Sequence, residues 1–323
     1  MRGGKKGWRQ SGGCRVLIVV HGFLFSGWLS TVAAGEAELA PASGFGPDST
    51  AAAESTSVTG EIAGDTARHT ESTQAEWELG IGGTAVHIPH YIGADDARDY
   101  VLPFPYFVYR SERLNVDRNF IHGKLLERDD LKIELSLSGT PPVDSDDNDA
   151  RAGMPDLDAT GELGPSIQYT FREADDQIWR ADLAIRKVIG TDFSRISNAG
   201  YTVSPQLYFS QRWQTDANTR WQFESTLGPS YGDNRYHDFF YAVAPAYATS
   251  DRAAYDAAGG FGGWRWALGL TRREGNFWFG AFVRYYDLSD AVFLDSPLVR
   301  REHSVLAGFA VAWILKANRN PLP

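Results

Sequence analysis

The chain has 323 residues, and its 41 Asp and Glu against 31 Lys and Arg give a formal charge of −10 at pH 7. That balance argues against a nucleic-acid partner, whose binders carry basic stripes. The aromatic content is high, with 10 Trp, 14 Tyr and 18 Phe beside 33 Gly and one Cys. This composition suits a strand-rich exported protein, either a membrane barrel or a secreted β-sandwich, and leaves no room for a disulfide.

Residues 1–34 read as a secretory signal peptide. Arg2, Lys5, Lys6, Arg9 and Arg15 precede an apolar run over 16–29, and no acidic residue occurs before Glu36. Small residues follow, so cleavage is expected between Ala34 and Gly35. The run is too short for a spanning helix, which needs about 20 apolar residues. Cys14 leaves with the signal. So do five of the 31 basic residues and none of the 41 acidic ones, which makes the mature chain more acidic still.

Residues 35–75 are rich in Ala, Ser, Thr, Gly and Glu without an apolar period, and read as a disordered periplasmic linker. From Trp77 the pattern changes to period two. The clearest strand is 131–138, with Leu131, Ile133, Leu135 and Leu137 opposite Lys132, Glu134, Ser136 and Ser138. The same alternation marks 162–172, 177–189 and 201–212. It is weaker at 76–87, 99–110, 113–125, 220–231, 260–272, 277–288 and 303–315.

Segments of about 10 residues fit tilted strands that cross a bilayer. Short polar turns at 173–176, 215–219 and 273–276 alternate with longer connections at 139–160, 190–200, 232–259 and 289–302. Outer-membrane barrels arrange periplasmic turns and external loops in this way. Trp213, Trp221, Phe277 and Trp278 flank short turns, where an interfacial girdle belongs. The expected fold is therefore an all-β, antiparallel transmembrane barrel of the outer membrane over 76–315, in contact with its lipid and lipopolysaccharide, with a C-terminal tail at 316–323. The eleven segments do not give the even strand number of bacterial barrels. Twelve is the preferred count, with 233–250 hiding the missing strand. Ten is the alternative, with 76–87 left out of the wall.

In the last strand, Gly308, Val311 and Trp313 resemble the insertion signal read by the barrel assembly machinery. Leu306 stands where a polar residue is usual, and the chain continues past Trp313.

No His falls in a recognisable Ser/His pairing, and no catalytic, cofactor or metal residue is assigned. The acidic run 144–149 with Asp156 and Asp158 lacks the glycine and terminal glutamate of an EF-hand loop. It reads as a solvated loop, or at most a weak divalent bridge to lipopolysaccharide. The inward faces carry Lys132, Arg172, Arg180, Arg186, Arg212, Arg265 and Arg284 against Glu134, Glu162, Asp182 and Glu224. Mixed charge of this kind leans towards a self-paired, filled lumen.

Four stretches resemble the MltA-interacting protein / outer membrane protein V (MipA/OmpV) family. The first contains Tyr91, Gly93, Asp95 and Asp96, then Pro103 and Pro105. The second contains Gly153, Asp156 and Asp158, then Glu162 and Gly164. The third contains Tyr255, Asp256 and Gly259, and the fourth Asp295, Ser296 and Pro297. The resemblance implies an outer-membrane barrel that acts as a scaffold between a lytic murein transglycosylase and a murein synthase. Some members are described as porin-like, so a narrow diffusion pore is the alternative and a barrel-embedded hydrolase the least favoured reading. The linker and the C-terminal tail depart from the family pattern.

Overall fold

The computed structural model describes residues 76–110, 114–117, 120–128 and 130–318. The signal segment with Ala34 and Gly35, the linker and the last five residues lie outside these. The strands are β1 (Glu76–Pro89), β2 (Ala97–Arg110), β3 (Leu114–Asp117), β4 (Phe120–Glu127), β5 (Leu131–Thr140) and β6 (Ala159–Ala174). They continue with β7 (Gln177–Thr191), β8 (Ile196–Asp216), β9 (Thr219–Gly232), β10 (Gly260–Glu274), β11 (Phe277–Asp287) and β12 (His303–Asn318). Among the described residues one α-helix, α1 (Asn234–Tyr241), interrupts the series.

Each strand pairs antiparallel with its sequence neighbours, and β1 also pairs with β12, so the order runs round a closed barrel. The wall is uneven. β3 has 4 residues and β4 has 8. Among the described residues, β3 meets β2 only at Tyr109 and Arg110.

Burial is inverted relative to a soluble protein. Along β6 the polar Glu162, Ser166 and Gln168 are buried, while Leu163, Ile167, Tyr169 and Phe171 are exposed. Val101, Ile81, Phe309 and Leu315 likewise face outward. A soluble sheet would turn these faces round, because apolar area in water costs about 25 cal/mol per Å². An apolar exterior is stable where the surroundings are lipid. No helix among the described residues is long and apolar enough to cross a membrane.

The lumen has two unlike walls. On β1, β2, β11 and β12 most inward residues are apolar, with Glu78, Thr84, Arg284 and Ser304 as polar exceptions. Tyr106, Val108, Trp278, Ala310, Ala312 and Ile314 form one cluster, and Val86, Ile88, Leu102, Phe282 and Leu306 form another with Ala267 of β10. Small residues make room for rings: a Cβ on Gly82 would fall 2.6 Å from the Phe104 ring. On β5 to β9 most inward residues are charged or hydrogen-bonding, with Ile178, Ala184 and Val188 of β7 as apolar exceptions.

Three expectations are corrected here. The extra strand does not come from 233–250. Asp233 caps the backbone N–H of Tyr236, and His237, Phe240 and Tyr241 bury one face at helical spacing, so this stretch forms α1. The extra strand comes instead from 113–125, which divides into β3 and β4, and 76–87 is a wall strand. The connection expected over 190–200 is also short: β7 reaches Thr191 and β8 starts at Ile196. Asp192 makes that turn by accepting from the backbone of Ser194 and Arg195. At the other end of β12, Lys316, Ala317 and Asn318 pair with β1, so the strand takes in part of the expected tail.

Candidate functional site

The connections at one end, 90–96, 141–158, 233–259 and 288–302, fold together. Their apolar side chains make one buried cluster, which includes Tyr91, Val143, Leu157, Phe240, Tyr241, Val243, Leu288, Phe293 and Leu298. Tyr241 stacks on Phe293 at 3.8 Å between centroids and meets Tyr91 edge-on. These loops thus form a cap with its own core.

Hydrogen bonds tie the loops to one another. The Tyr91 hydroxyl donates to the Leu298 carbonyl at 2.8 Å, and the Tyr241 hydroxyl to the Ile92 carbonyl at 2.9 Å. Ser296 donates to the Tyr241 carbonyl at 2.7 Å. Gly93 has φ of 96°, which disfavours any residue with a Cβ, and its carbonyl accepts from both Arg300 and Arg301. Burial pushes the Tyr91 and Tyr241 phenols up, which keeps both as neutral donors.

Two buried arginines staple the cap without a carboxylate in hydrogen-bond contact. Arg252 donates to the carbonyls of Ala150, Ala152 and Tyr247. Arg151 donates to those of Phe240 and Pro155 and to the Ser145 hydroxyl. Neither was singled out from sequence. Arg151 lies inside a resemblance stretch, but Arg252 carries no local signal.

Two histidines also lie in the cap. His237 is 1 % exposed and its Nδ1 donates to the Ala258 carbonyl at 2.7 Å. His90 lies 3.2 Å from the Asn148 amide. Burial lowers the pKa of both rings, and Arg98 lowers that of His90 further.

The family-motif residues fall into this arrangement as follows. Tyr91, Gly93 and Ser296 are cap anchors. Asp96 accepts from the Asp149 backbone at 2.9 Å, and Asp156 from that of Ser145 at 2.9 Å. Gly259 donates to Asn234. Tyr255 bridges to Val243. Gly153 takes φ of 76°. Asp95, Asp256 and Asp295 are exposed, while Asp158 and Pro297 are half-buried. Outside the cap, Glu162 enters the lumen. Gly164 sits where β6 approaches β7, and a Cβ there would fall 1.9 Å from the Ile185 carbonyl. Pro103 and Pro105 stand on β2 where no β3 pairing occurs among the described residues, a place that tolerates a missing N–H. They line an outer apolar groove of about 760 Å³ with Ile81, Phe277, Val311 and Trp313. Gly308 turns inward against the Phe282 ring.

The acidic loop is dispersed. Asp144 accepts from Asp146, Asp147 pairs with Arg98, and no group of three potential metal ligands occurs among the described residues.

Below the cap, the charged wall is paired. Glu134 meets Lys132 and accepts from Gln168 at 3.0 Å. Arg180 forks onto Asp182 and lies 4.2 Å over the Tyr208 ring. Tyr208 donates to Glu224 at 2.6 Å, and Gln222 donates to the same oxygen at 2.9 Å. Near the short turns, Arg273 pairs with Glu78 at 2.9 Å. Arg172 and Arg212 depart from the expected lumen. Arg172 lies beyond a register shift in β6 and is exposed. Arg212 reaches the Asp175 carbonyl at a turn.

The inverted burial, the antiparallel ring of strands and the aromatic pairs at strand ends define an outer-membrane type of β-barrel. Trp213 and Trp221 stack at 6.0 Å, and Phe277 and Trp313 at 6.3 Å. The chain belongs to the MltA-interacting protein MipA family, whose profile matches residues 81–315. None of the curated proteins matches it. Among solved structures it is similar to a bacterial polysaccharide outer membrane secretin, at 11% identity and TM-score 0.35, over 76% of this chain and 99% of that one. It is also similar to the NanC porin, at 8% identity and TM-score 0.33, over 73% and 98%. The CymD monoaromatic hydrocarbon channel gives 10% identity and TM-score 0.31, over 74% and 88%.

Proposed function

We propose that the protein is a capped barrel of the outer membrane that anchors murein-processing enzymes and has no catalytic role of its own. The ten strands of 10 residues or more cross the bilayer, and the β3–β4 hairpin completes the rim on the side of the short turns. The cap faces outward and the short turns face the periplasm. The sequence reading of 35–75 as a linker gives a tether with periplasmic reach. Family membership supports a lytic murein transglycosylase of the MltA type as the partner. The observation that carries a closed anchor over an open porin is the cap, because four loops bury a common core instead of standing apart. Charge pairing below it agrees.

In-cell crosslinking of the full-length protein should recover a murein-processing enzyme, and planar bilayers should record low conductance. Large, steady, ion-selective currents from pure protein, with no murein enzyme crosslinked, would overturn the anchor in favour of a narrow pore.

A further inference from the structure

Charge pairing in the lumen fails in one place. Beneath α1, Arg186 of β7, Arg265 of β10 and Arg284 of β11 turn inward. Their neighbours Ile185, Trp264, Trp266, Val283 and Tyr285 are exposed on the outer face. The register sets Arg265 opposite Tyr286, and Arg284 opposite Ala267. Arg186 approaches from the other side of the barrel, anchored by a 2.8 Å bond to Ser136. Arg265 and Arg284 both lie within its electrostatic reach, as does Tyr236 of α1.

One carboxylate answers these three cations. Glu162 lies 3.8 Å from Arg186 and accepts from Thr202 at 3.5 Å. It acts on Arg186 and Arg265. Arg284 hydrogen-bonds the Tyr286 side chain and has Arg265 beside it, with no ion pair to a carboxylate among the described residues. Its Nη2 is shielded from solvent without a hydrogen-bond partner. The excess is local, since Lys132 and Arg180 lower in the lumen are met by Glu134 and Asp182.

Buried guanidiniums are expensive unless an anion and acceptor oxygens answer them. Their planar fork matches the two oxygens of a carboxylate or phosphate. We propose that Arg186, Arg265 and Arg284 form a binding site for a small oxyanion in the lumen beneath the cap. Tyr236 and Tyr286 add hydroxyls to its rim, and Glu162 sets Arg186 in place while limiting the charge the site will accept. The site stands whether the barrel serves as an anchor or as a pore, because it requires binding and not passage.

The test uses the full-length protein folded in detergent, with inorganic phosphate and acetate as probes and sodium chloride holding ionic strength constant. Isothermal titration should give saturable binding at one site. The temperature of the heat-induced shift between folded and unfolded gel mobility should rise with the logarithm of phosphate concentration above the dissociation constant. A response to phosphate alone marks a phosphoryl ligand, and a response to both probes marks a carboxylate-tolerant site. Arg284→Lys keeps the charge and loses the fork, and should weaken binding by about tenfold. Arg265→Gln should weaken it further, while Arg172→Gln, outside the cluster, should change nothing. Absence of saturable binding by the unaltered protein would overturn the site. So would equal binding by Arg284→Lys, Arg265→Gln and Arg172→Gln. Failure of the conductance and crosslinking results above would leave this outcome untouched.

Discussion

The two walls of the lumen solve one packing problem by different means. The wall of β1, β2, β11 and β12 is filled by shape: Gly82, Ala310 and Ala312 yield space that Phe104, Tyr106 and Trp278 occupy. The wall of β5 to β9 is filled by pairing, where Glu134, Arg180 and Glu224 are each satisfied only by particular neighbours. An apolar wall tolerates small errors of fit and rejects charge outright. A paired wall accepts charge but fails when one member is removed.

The largest effect should follow from putting a charge into the wrong wall. Ala312→Glu, at a site 1 % exposed beside Tyr106 and Trp278, should cost about 3–5 kcal/mol. Urea unfolding in micelles, read on unboiled gels, measures it. A loss under 1 kcal/mol would mean that water or a partner reaches this wall, and the contrast would vanish.

Next, the paired wall should punish a single deletion and forgive a double one. Arg180→Met leaves Asp182 alone in the lumen and should cost about 3 kcal/mol. Adding Asp182→Leu should restore most of that. If the double variant is as unstable as the single one, pairing is not what fills this wall.

A smaller effect concerns the cap above both walls. His90 and His237 have pKa values held below the ordinary value of about 6.5, so the folded cap resists a proton that an opened cap accepts. Their contribution is complete above that ordinary value and is lost as pH falls through it towards the folded values. Protease cleavage within 233–259 should therefore be faster at about pH 5 than at neutrality. His237→Gln should flatten the dependence, and an equally steep profile in that variant would assign it elsewhere.

The smallest effect belongs to the outer face, shared by neither wall. Trp213→Leu removes a stacked ring from Trp221 and should cost about 1 kcal/mol. A cost as large as that of Ala312→Glu would place Trp213 in a packed interface instead of a lipid belt.

The contrast between the walls also explains which parts of the fold were legible in sequence. Period two stands out where one face is polar, so 131–138, 162–172 and 177–189 were plain strands. On the apolar wall both faces are apolar, and alternation fades at 76–87, 99–110 and 303–315. Residues 113–125 looked like one strand because a break after four residues leaves no mark on hydropathy. α1 was missed because Tyr236, Phe239 and Tyr241 are as common in strands as in helices, and only Asp233 at the cap argued otherwise. The family resemblance located the loop residues, but nothing local said that Tyr91 would reach Leu298 or that Arg252 would staple 150–152. Those contacts join distant segments, and only the barrel brings them together. The excess of Arg186, Arg265 and Arg284 over Glu162 was hidden for the same reason, since a count along the chain does not reveal height in the lumen.

The pairing of β1 with β12 sets the order of assembly. It joins the two ends of the described chain, so its loop-closure cost is the largest in the barrel and it is expected to form last. Small residues recur on the inner side of this seam, where Gly80 faces Ile314, Gly82 faces Ala312, Thr84 faces Ala310 and Val86 faces Gly308. On that inner side each larger residue meets a small one as the edges close, while Ile81 meets Trp313 on the outer face. Until that moment both edges present unpaired backbone to whatever holds the nascent sheet, and a machine that inserts the chain would release it only once the two edges had found each other.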